Sequence, residues 1–181
     1  MRAPARRICD TPDACRAISP EVIFVTVSDK IIRLKTDLPV VPARVWDMLT
    51  GARHIEAWWG RHVALTPRAG GGVLIRADGS DRGRDIRGRV LRWSPPSALE
   101  LALSDEAWAS QTRVNIRLES TGDGTRLLLD HTGWDGHDDT ARHQIMAAWD
   151  RDWTSRLARL RAYITRTSDG GTAPAPHAVA S

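Results

Sequence analysis

The chain of 181 residues is long enough to bury one domain core and is short for two. Its 26 basic and 22 acidic residues leave a formal net charge of only +4. Because the arginines are scattered among acidic residues rather than gathered into runs of like charge, we expect no nucleic-acid partner. No apolar segment approaches the length of a membrane span, so we also expect no membrane insertion and a cytoplasmic location.

Two terminal segments lack the apolar periodicity of folded elements. Residues 1–20 have no hydrophobic period and contain both cysteines, Cys9 and Cys15, so a disulfide framework is not expected to hold the fold. Residues 167–181 are rich in Ala, Pro, Gly and Ser. We therefore predict a disordered arm over 1–20, one domain over 21–166 and a disordered tail over 167–181.

The patterned region begins with a strand and two short helices. Ile31–Leu38 reads as the first strand, and the strand-like segment Glu21–Val27 extends or precedes it. Pro42 suits the first turn of a helix because its missing N–H needs no partner there. Gly51 breaks that helix, and Gly60 ends a second one. The apolar residues of the two helices are Val45, Trp46, Leu49, Ile55, Trp58 and Trp59.

Antiparallel strands follow the helices. They are predicted at Arg61–Leu65, Val73–Ala77, Asp85–Trp93, Leu99–Leu103, Thr112–Glu119 and Thr125–Thr132. Gly70-Gly71-Gly72 is a turn between strands, and Thr121-Gly122-Asp123-Gly124 is a strong hairpin signal. In that hairpin the residues of one face are Val114, Ile116, Leu118, Leu127, Leu129 and His131. This face is therefore predicted to meet a core.

A long last helix, roughly Asp139 to Thr165, is predicted to cover the sheet. One face repeats at three- and four-residue steps and consists of Ala141, Ile145, Trp149, Trp153, Leu157, Leu160 and Ile164. The opposite face carries His143, Asp150, Arg151, Thr154 and Arg161. The apolar stripe is continuous, so we expect it to pack against the inner face of the sheet.

Several motifs, in this order, resemble those of one superfamily. They are the Pro42–Thr50 run, Trp58-Trp59-Gly60, the three-glycine turn, Gly88-Arg89-Val90 ahead of Pro95, and His131-Thr132-Gly133-Trp134. Together with the last helix they resemble the START-like, or SRPBCC, superfamily over roughly Lys30 to Thr165. The branch they resemble is named after the C-terminal domain of the activator of the heat-shock-protein-90 ATPase. The resemblance implies an α+β helix-grip fold, with a curved antiparallel sheet around the last helix.

The resemblance also implies a small hydrophobic or aromatic ligand in a cavity between the sheet and the last helix. The expected binding residues are Trp59, Ile75, Leu101, Ile116, Leu129, His131, Ile145 and Trp149. Eight tryptophans against one Phe and one Tyr favour such a pocket. Aromatic rings at helical spacing are more often core, which is the interpretation we prefer for Trp46, Trp58 and Trp153. We expect no cofactor, and a monomer or a homodimer.

His131 admits two interpretations. It can be a general base of a cyclase- or aromatase-like enzyme, with Asp78 or Arg113 as further polar groups, although alternation puts these two on the outer face. A satisfied structural histidine is the commoner case, so we predict binding rather than catalysis. A third interpretation is a co-chaperone-like regulator of a heat-shock ATPase. It is disfavoured because the resemblance covers only the C-terminal type of domain of the activator.

The segment at the start of the last helix has the spacing of a metal site. Asp139 and His143 lie one turn apart, after Asp135 and His137. Acidic residues at a helix N-terminus also satisfy free N–H groups and the helix dipole. The capping interpretation is the stronger one, and no metal is expected.

Overall fold

The computed structural model describes residues 24–28, 30–60, 62–76, 85–106, 108 and 110–169. Within this part of the chain the elements, in order, are β1 Phe24–Ser28, β2 Ile31–Leu38, α1 Pro42–Thr50, α2 Ala52–Trp58, β3 Val63–Leu65, β4 Gly72–Ile75, β5 Ile86–Ser94, β6 Ala98–Ser104, β7 Thr112–Thr121, β8 Gly124–Thr132 and α3 Asp139–Asp169. The predicted arm over 1–20 and Asp78 lie outside the described residues, as does most of the predicted tail.

All eight strands of the described chain form one antiparallel sheet. Their order is β1-β2-β8-β7-β6-β5-β4-β3, and α3 packs against β2, α1 and α2 on one face. The buried side chains of the sheet, the two short helices and α3 form a single hydrophobic core. The predicted α+β helix-grip fold is confirmed. None of the helices described is long and apolar enough to cross a membrane.

The strand-like segment before Ile31 is a separate strand. β1 runs antiparallel to β2, with Ser28 opposite Ile31 and Phe24 opposite Lys35. The segment therefore precedes the first predicted strand and makes a tight hairpin with it, at the edge of the sheet.

The β7–β8 hairpin forms at the predicted turn. Thr121 pairs with Gly124, and Gly122 has a φ of 74°, a value that a glycine adopts without strain. The register places Ile116 opposite Leu129 and Val114 opposite His131. These residues are buried, so the alternation identified the inner face correctly.

The two short helices meet the core as predicted. Pro42 is the first residue of α1, and Gly60, which follows α2, has a φ of 125°. The indole N–H of Trp58 donates to the carbonyl of Met48 at 3.0 Å, which ties α2 to α1.

The last helix differs from the prediction in two respects. It extends to Asp169 rather than Thr165, and the Thr167 and Ser168 hydroxyls donate to the Ile164 carbonyl near its end. At the other end Met146 is buried while Ile145 is only half-buried. From Trp149 onward the predicted stripe is buried as expected, at Trp149, Trp153, Leu157, Leu160 and Ile164, and Arg156 joins it. The inward face departs from the prediction at its start, where Met146 is buried in place of Ile145.

Candidate functional site

His131 lies at the centre of the inner face of the sheet. It is on β8, paired with Val114 on β7 and Ile32 on β2, and is 0% exposed. Its Nε2 lies 2.9 Å from the Thr112 hydroxyl, and the indole N–H of Trp153 donates to its Nδ1 at 3.1 Å. Its backbone carbonyl accepts from the Trp134 indole at 3.1 Å.

These hydrogen bonds define the tautomer of His131. An indole N–H can only donate, so Nδ1 is an acceptor and Nε2 carries the proton, which it donates to the Thr112 oxygen. A general base takes up a proton with a free lone pair, and the Nδ1 lone pair of His131 already accepts the hydrogen bond from Trp153. The geometry is that of a structural histidine that orients Trp153 and Trp134.

Six of the eight tryptophans form one connected set of ring contacts, which we call the indole cluster. Its members are Trp58, Trp59, Trp108, Trp134, Trp149 and Trp153, with neighbouring ring centroids 5.1–6.0 Å apart. His131 lies against three of them, with its ring 4.3 Å from Trp134 and 4.9 Å from Trp149. Trp46 and Trp93 form a separate edge-to-face pair.

Burial distinguishes one member of the indole cluster. Five of the rings are buried, whereas Trp108 is only partly so. Trp108 makes edge contacts with Trp134 and Trp149, both at 6.0 Å between centroids. The cluster therefore reaches solvent through Trp108, between β6 and β7.

A buried cation lies among these rings. The guanidinium carbon of Arg156 is 5.3 Å from the ring centroid of Trp59, 5.5 Å from Trp153 and 5.9 Å from Trp149. Asp152, one turn earlier on α3, forms an ion pair with it at 2.8 Å. The electron-rich faces of indoles stabilise a cation, and this partly offsets the cost of removing it from water.

Two further polar groups lie along this part of α3 and its neighbours. The indole N–H of Trp59 is buried and has no hydrogen-bond partner. Burial raises the pKa of the half-buried Asp150 carboxyl, against the opposing charge of Arg151. The site thus combines flat apolar surfaces with a cation and an indole donor.

Most of the residues predicted to bind a ligand lie on the inner face of the sheet or pack against it. Leu101, Ile116, Leu129, His131, Trp59 and Trp149 are all buried on the inner face or against it. Ile75 is also buried but lies on β4, four strands beyond β8 in the sheet order, and Ile145 is half-buried. Arg113 is on the outer face, where it pairs with Glu100 at 3.6 Å.

Three residues of this site were not predicted from the sequence. Arg156 is seven residues after Trp149 and three after Trp153, so its helical position alone signals an inward side chain. Thr112 faces His131 from the start of β7. Trp108 lies between two strands, outside any periodic segment.

The start of α3 is a capped helix end. The Asp138 carboxylate accepts from the backbone N–H of Ala141 at 2.9 Å, and Asp139 pairs with Arg142 at 2.6 Å. His143 contacts the Asp139 carbonyl rather than its carboxylate. Asp135 pairs with Lys30, whose hydrogen bond and charge lower the pKa of that carboxyl. Among the residues described, no three His, Cys, Asp or Glu side chains are grouped as a metal site.

The sequence matches one protein family over most of its length. The family is described as Activator of Hsp90 ATPase homolog 1-like protein, and it matches residues 39–165. The chain belongs to this family. The resemblance to the SRPBCC branch is thereby confirmed. No curated protein gives a significant match.

Solved structures share the fold at low sequence identity. Protein MLL2253 from Mesorhizobium loti has a TM-score of 0.66 at 22% identity, over 76% of this chain and 98% of its own. CalU16 from Micromonospora echinospora has a TM-score of 0.59 at 24% identity, over 74% and 73%. The Aha1 dimer from Colwellia psychrerythraea has a TM-score of 0.62 at 17% identity, over 74% and 95%. These likenesses establish the fold and not the ligand.

Proposed function

We propose that the protein binds a small, flat, apolar ligand against the indole cluster, between the sheet and α3. The observation that carries this proposal is the continuity of the six indole rings from the interior to the half-buried Trp108. An aromatic ligand gains both burial and edge or stacking contacts on such a surface. The ligand enters at Trp108, where the indole cluster reaches solvent.

The mode of entry follows from the contacts of Trp108. Its ring touches Trp134 and Trp149 edge-on, and these edge contacts are worth about 0.5–1.5 kcal/mol each beyond the burial itself. A ligand ring that takes the place of Trp108 recovers those contacts. The first step of entry is therefore the movement of one side chain at the surface.

Binding is favoured over turnover by the state of His131. Both of its ring nitrogens are hydrogen-bonded, one to Thr112 and one to Trp153. Using it as a base requires breaking a buried hydrogen bond, which leaves the Trp153 donor unsatisfied. The polar groups of the site thus support the orientation of a ligand rather than proton transfer.

The test is a titration of the ¹⁵N-labelled protein with 2-naphthamide, a neutral two-ring probe, followed through the indole N–H signals. We expect the signals of Trp108, Trp134 and Trp149 to shift saturably, with assignments from single Trp→Phe variants. Trp46 and Trp93 form a separate pair, so their signals are the internal control and should stay in place.

Two results would contradict the proposal. One is the absence of any saturable shift with either 2-naphthamide or its acid analogue, 2-naphthoate. The other is a uniform shift of all eight indole signals, Trp46 and Trp93 included, which indicates unspecific association. A Trp108→Ala variant should open the site and keep or raise the affinity for 2-naphthamide, since the displaced ring is gone.

A further inference from the structure

We infer that the ligand carries an acidic group, and that Arg156 and the indole N–H of Trp59 bind it. This inference rests on the proposed function and names the chemical class of the ligand: a flat ring system bearing a carboxylate or a comparable oxyanion. It derives from the buried cation and the buried donor, two features that an apolar ligand alone does not need.

The first observation is the position of Arg156. Its side chain is 5% exposed and is surrounded by the rings of Trp59, Trp149 and Trp153. An aliphatic residue at this place on α3 would pack as Leu157 does, without the desolvation cost of a charge. The guanidinium presents five N–H donors in a planar fork that matches a carboxylate.

The second observation is Trp59, which is 2% exposed and whose indole N–H has no hydrogen-bond partner. Buried donors are nearly always satisfied, and leaving one unpaired is costly. The guanidinium carbon of Arg156 lies over the same ring, 5.3 Å from its centroid. A carboxylate has two oxygens and can accept from both groups at once.

Asp152 is the carboxylate with which the acidic group of the ligand competes for Arg156. Its carboxylate pairs with Arg156 at 2.8 Å, and its side chain is 18% exposed. Because it is nearer to solvent than Arg156, it can turn outward and be hydrated when another carboxylate arrives. The exchange conserves the charge balance around the buried cation, which keeps its cost low.

The position of Trp149 determines how long the ligand must be. Its ring contacts Trp108 at the entrance and also lies 5.9 Å from the Arg156 guanidinium carbon. A ligand that enters at Trp108 must therefore extend past one indole ring to reach the cation. A fused two-ring acid has this length, with its acidic group at the inner end.

The test compares 2-naphthoate with 2-naphthamide by calorimetry, at a pH where the acid is ionised. The two probes share shape and ring area and differ in charge. We expect wild-type protein to bind 2-naphthoate about tenfold more tightly or better, because hydrogen bonds to charged groups are stronger than neutral ones.

Three variants assign the preference to the named groups. Arg156→Met should weaken 2-naphthoate binding by about 10–100-fold and change 2-naphthamide binding by less than about threefold. Trp59→Phe, which keeps a ring and removes the N–H, should weaken 2-naphthoate about 3–10-fold. Asp152→Asn should strengthen it, since the competing carboxylate is gone. Arg159→Met, at an exposed position on the same helix, is the matched control and should change neither affinity.

The outcomes separate this inference from the proposed function. Equal affinity for the two probes overturns the acid inference and leaves ligand binding standing, whereas binding of neither probe overturns the proposed function itself. Equal losses of both probes in Arg156→Met would assign Arg156 a packing role and also overturn the inference. If Arg156→Met does not fold, the preference of the wild-type protein for 2-naphthoate over 2-naphthamide and the effect of Trp59→Phe still test the inference.

Discussion

The two halves of α3 bury different chemistry against the same sheet. From Met146 to Arg156 the inward residues are sulfur-containing, aromatic or charged: Met146, Trp149, Trp153 and Arg156. From Leu157 to Ile164 they are aliphatic: Leu157, Leu160 and Ile164. We call these the aromatic half and the aliphatic half of α3. Both are equally buried, so burial alone does not distinguish the two halves.

The difference lies in how many polar groups each half must satisfy. The three inward residues of the aliphatic half, Leu157, Leu160 and Ile164, have no hydrogen-bonding side-chain atoms, and their contribution follows from buried area. The aromatic half needs Trp153 to donate to His131, His131 to meet Thr112, and Arg156 to pair with Asp152. Such groups fix orientation at an energetic cost, which is typical of a site that recognises a ligand.

The largest effect is expected in the aliphatic half. Leu157→Ala should lower the free energy of unfolding by about 2–5 kcal/mol, because it removes a side chain that is fully within the core and leaves a cavity. The change in the free energy of unfolding is measured by denaturant titration. The exposed Arg159→Ala on the same helix should cost less than about 0.5 kcal/mol. Equal losses in the two variants would show that the inward face of α3 is wrongly assigned.

A smaller loss is expected from the polar network of the aromatic half. Thr112→Val keeps the shape of the side chain and removes the hydroxyl that meets His131 at 2.9 Å. The buried imidazole N–H then loses its acceptor, which should cost about 1–3 kcal/mol in unfolding free energy. Thr121→Val, at an exposed position near the end of the same strand, provides the comparison. A Thr112→Val protein as stable as wild type would argue against the assigned tautomer of His131.

The buried ion pair should matter less to stability than either of these. Arg156→Met replaces a desolvated cation with an apolar chain among three indole rings, which is costly only where the partner charge left behind stays buried. Asp152 is partly exposed and can regain water. We therefore expect the unfolding free energy to stay within about 1 kcal/mol of wild type, or to rise. A loss as large as that of Leu157→Ala would make Arg156 a structural residue and remove the contrast between the two halves.

Local patterns were sufficient to predict most of the fold. The period of two in β7 and β8 and the turn at Gly122 gave the right inner face, because a half-buried strand must alternate. The end of α3 was placed too early, since side-chain hydrogen bonds to the Ile164 carbonyl accompany its last turn. Met146 rather than Ile145 is buried because the face of a long helix drifts around its axis, and a fixed stripe does not follow it.

The candidate site was less predictable. His131 and Trp149 were found from their inward positions, but the Thr112 partner depends on side-chain geometry at the strand ends, which no periodicity specifies. Arg156 occupies an inward helical position, but a charged side chain is normally exposed to solvent. Its burial is explained only by its contacts with three indole rings and Asp152, which the structure shows. Long-range contacts, rather than local sequence, decide where such a cation can be buried.

The smallest expected effect concerns a polar contact of the aliphatic half. Tyr163 lies on that half of α3, and its hydroxyl is 2.6 Å from Nδ1 of His54, which is 6% exposed on α2. The Arg53 guanidinium donates to Nε2 of the same ring at 3.3 Å. Burial, followed by the charges of Arg53 and Arg44, lowers the pKa of His54 below its ordinary value of 6.5, and Asp47 opposes this only in part.

A lowered pKa means that the folded state favours neutral His54, whereas the unfolded chain takes up a proton near its ordinary value. The stabilisation is therefore complete above a pH of about 6.5 and is lost as the pH falls through the lower pKa of the folded state. We expect the Tm to fall between a pH of about 7.5 and about 5, and His54→Gln to make this decline shallower. Parallel declines in the wild-type and His54→Gln proteins would show that His54 does not contribute to the acid sensitivity, and that the aliphatic half of α3 acts through its apolar contacts alone.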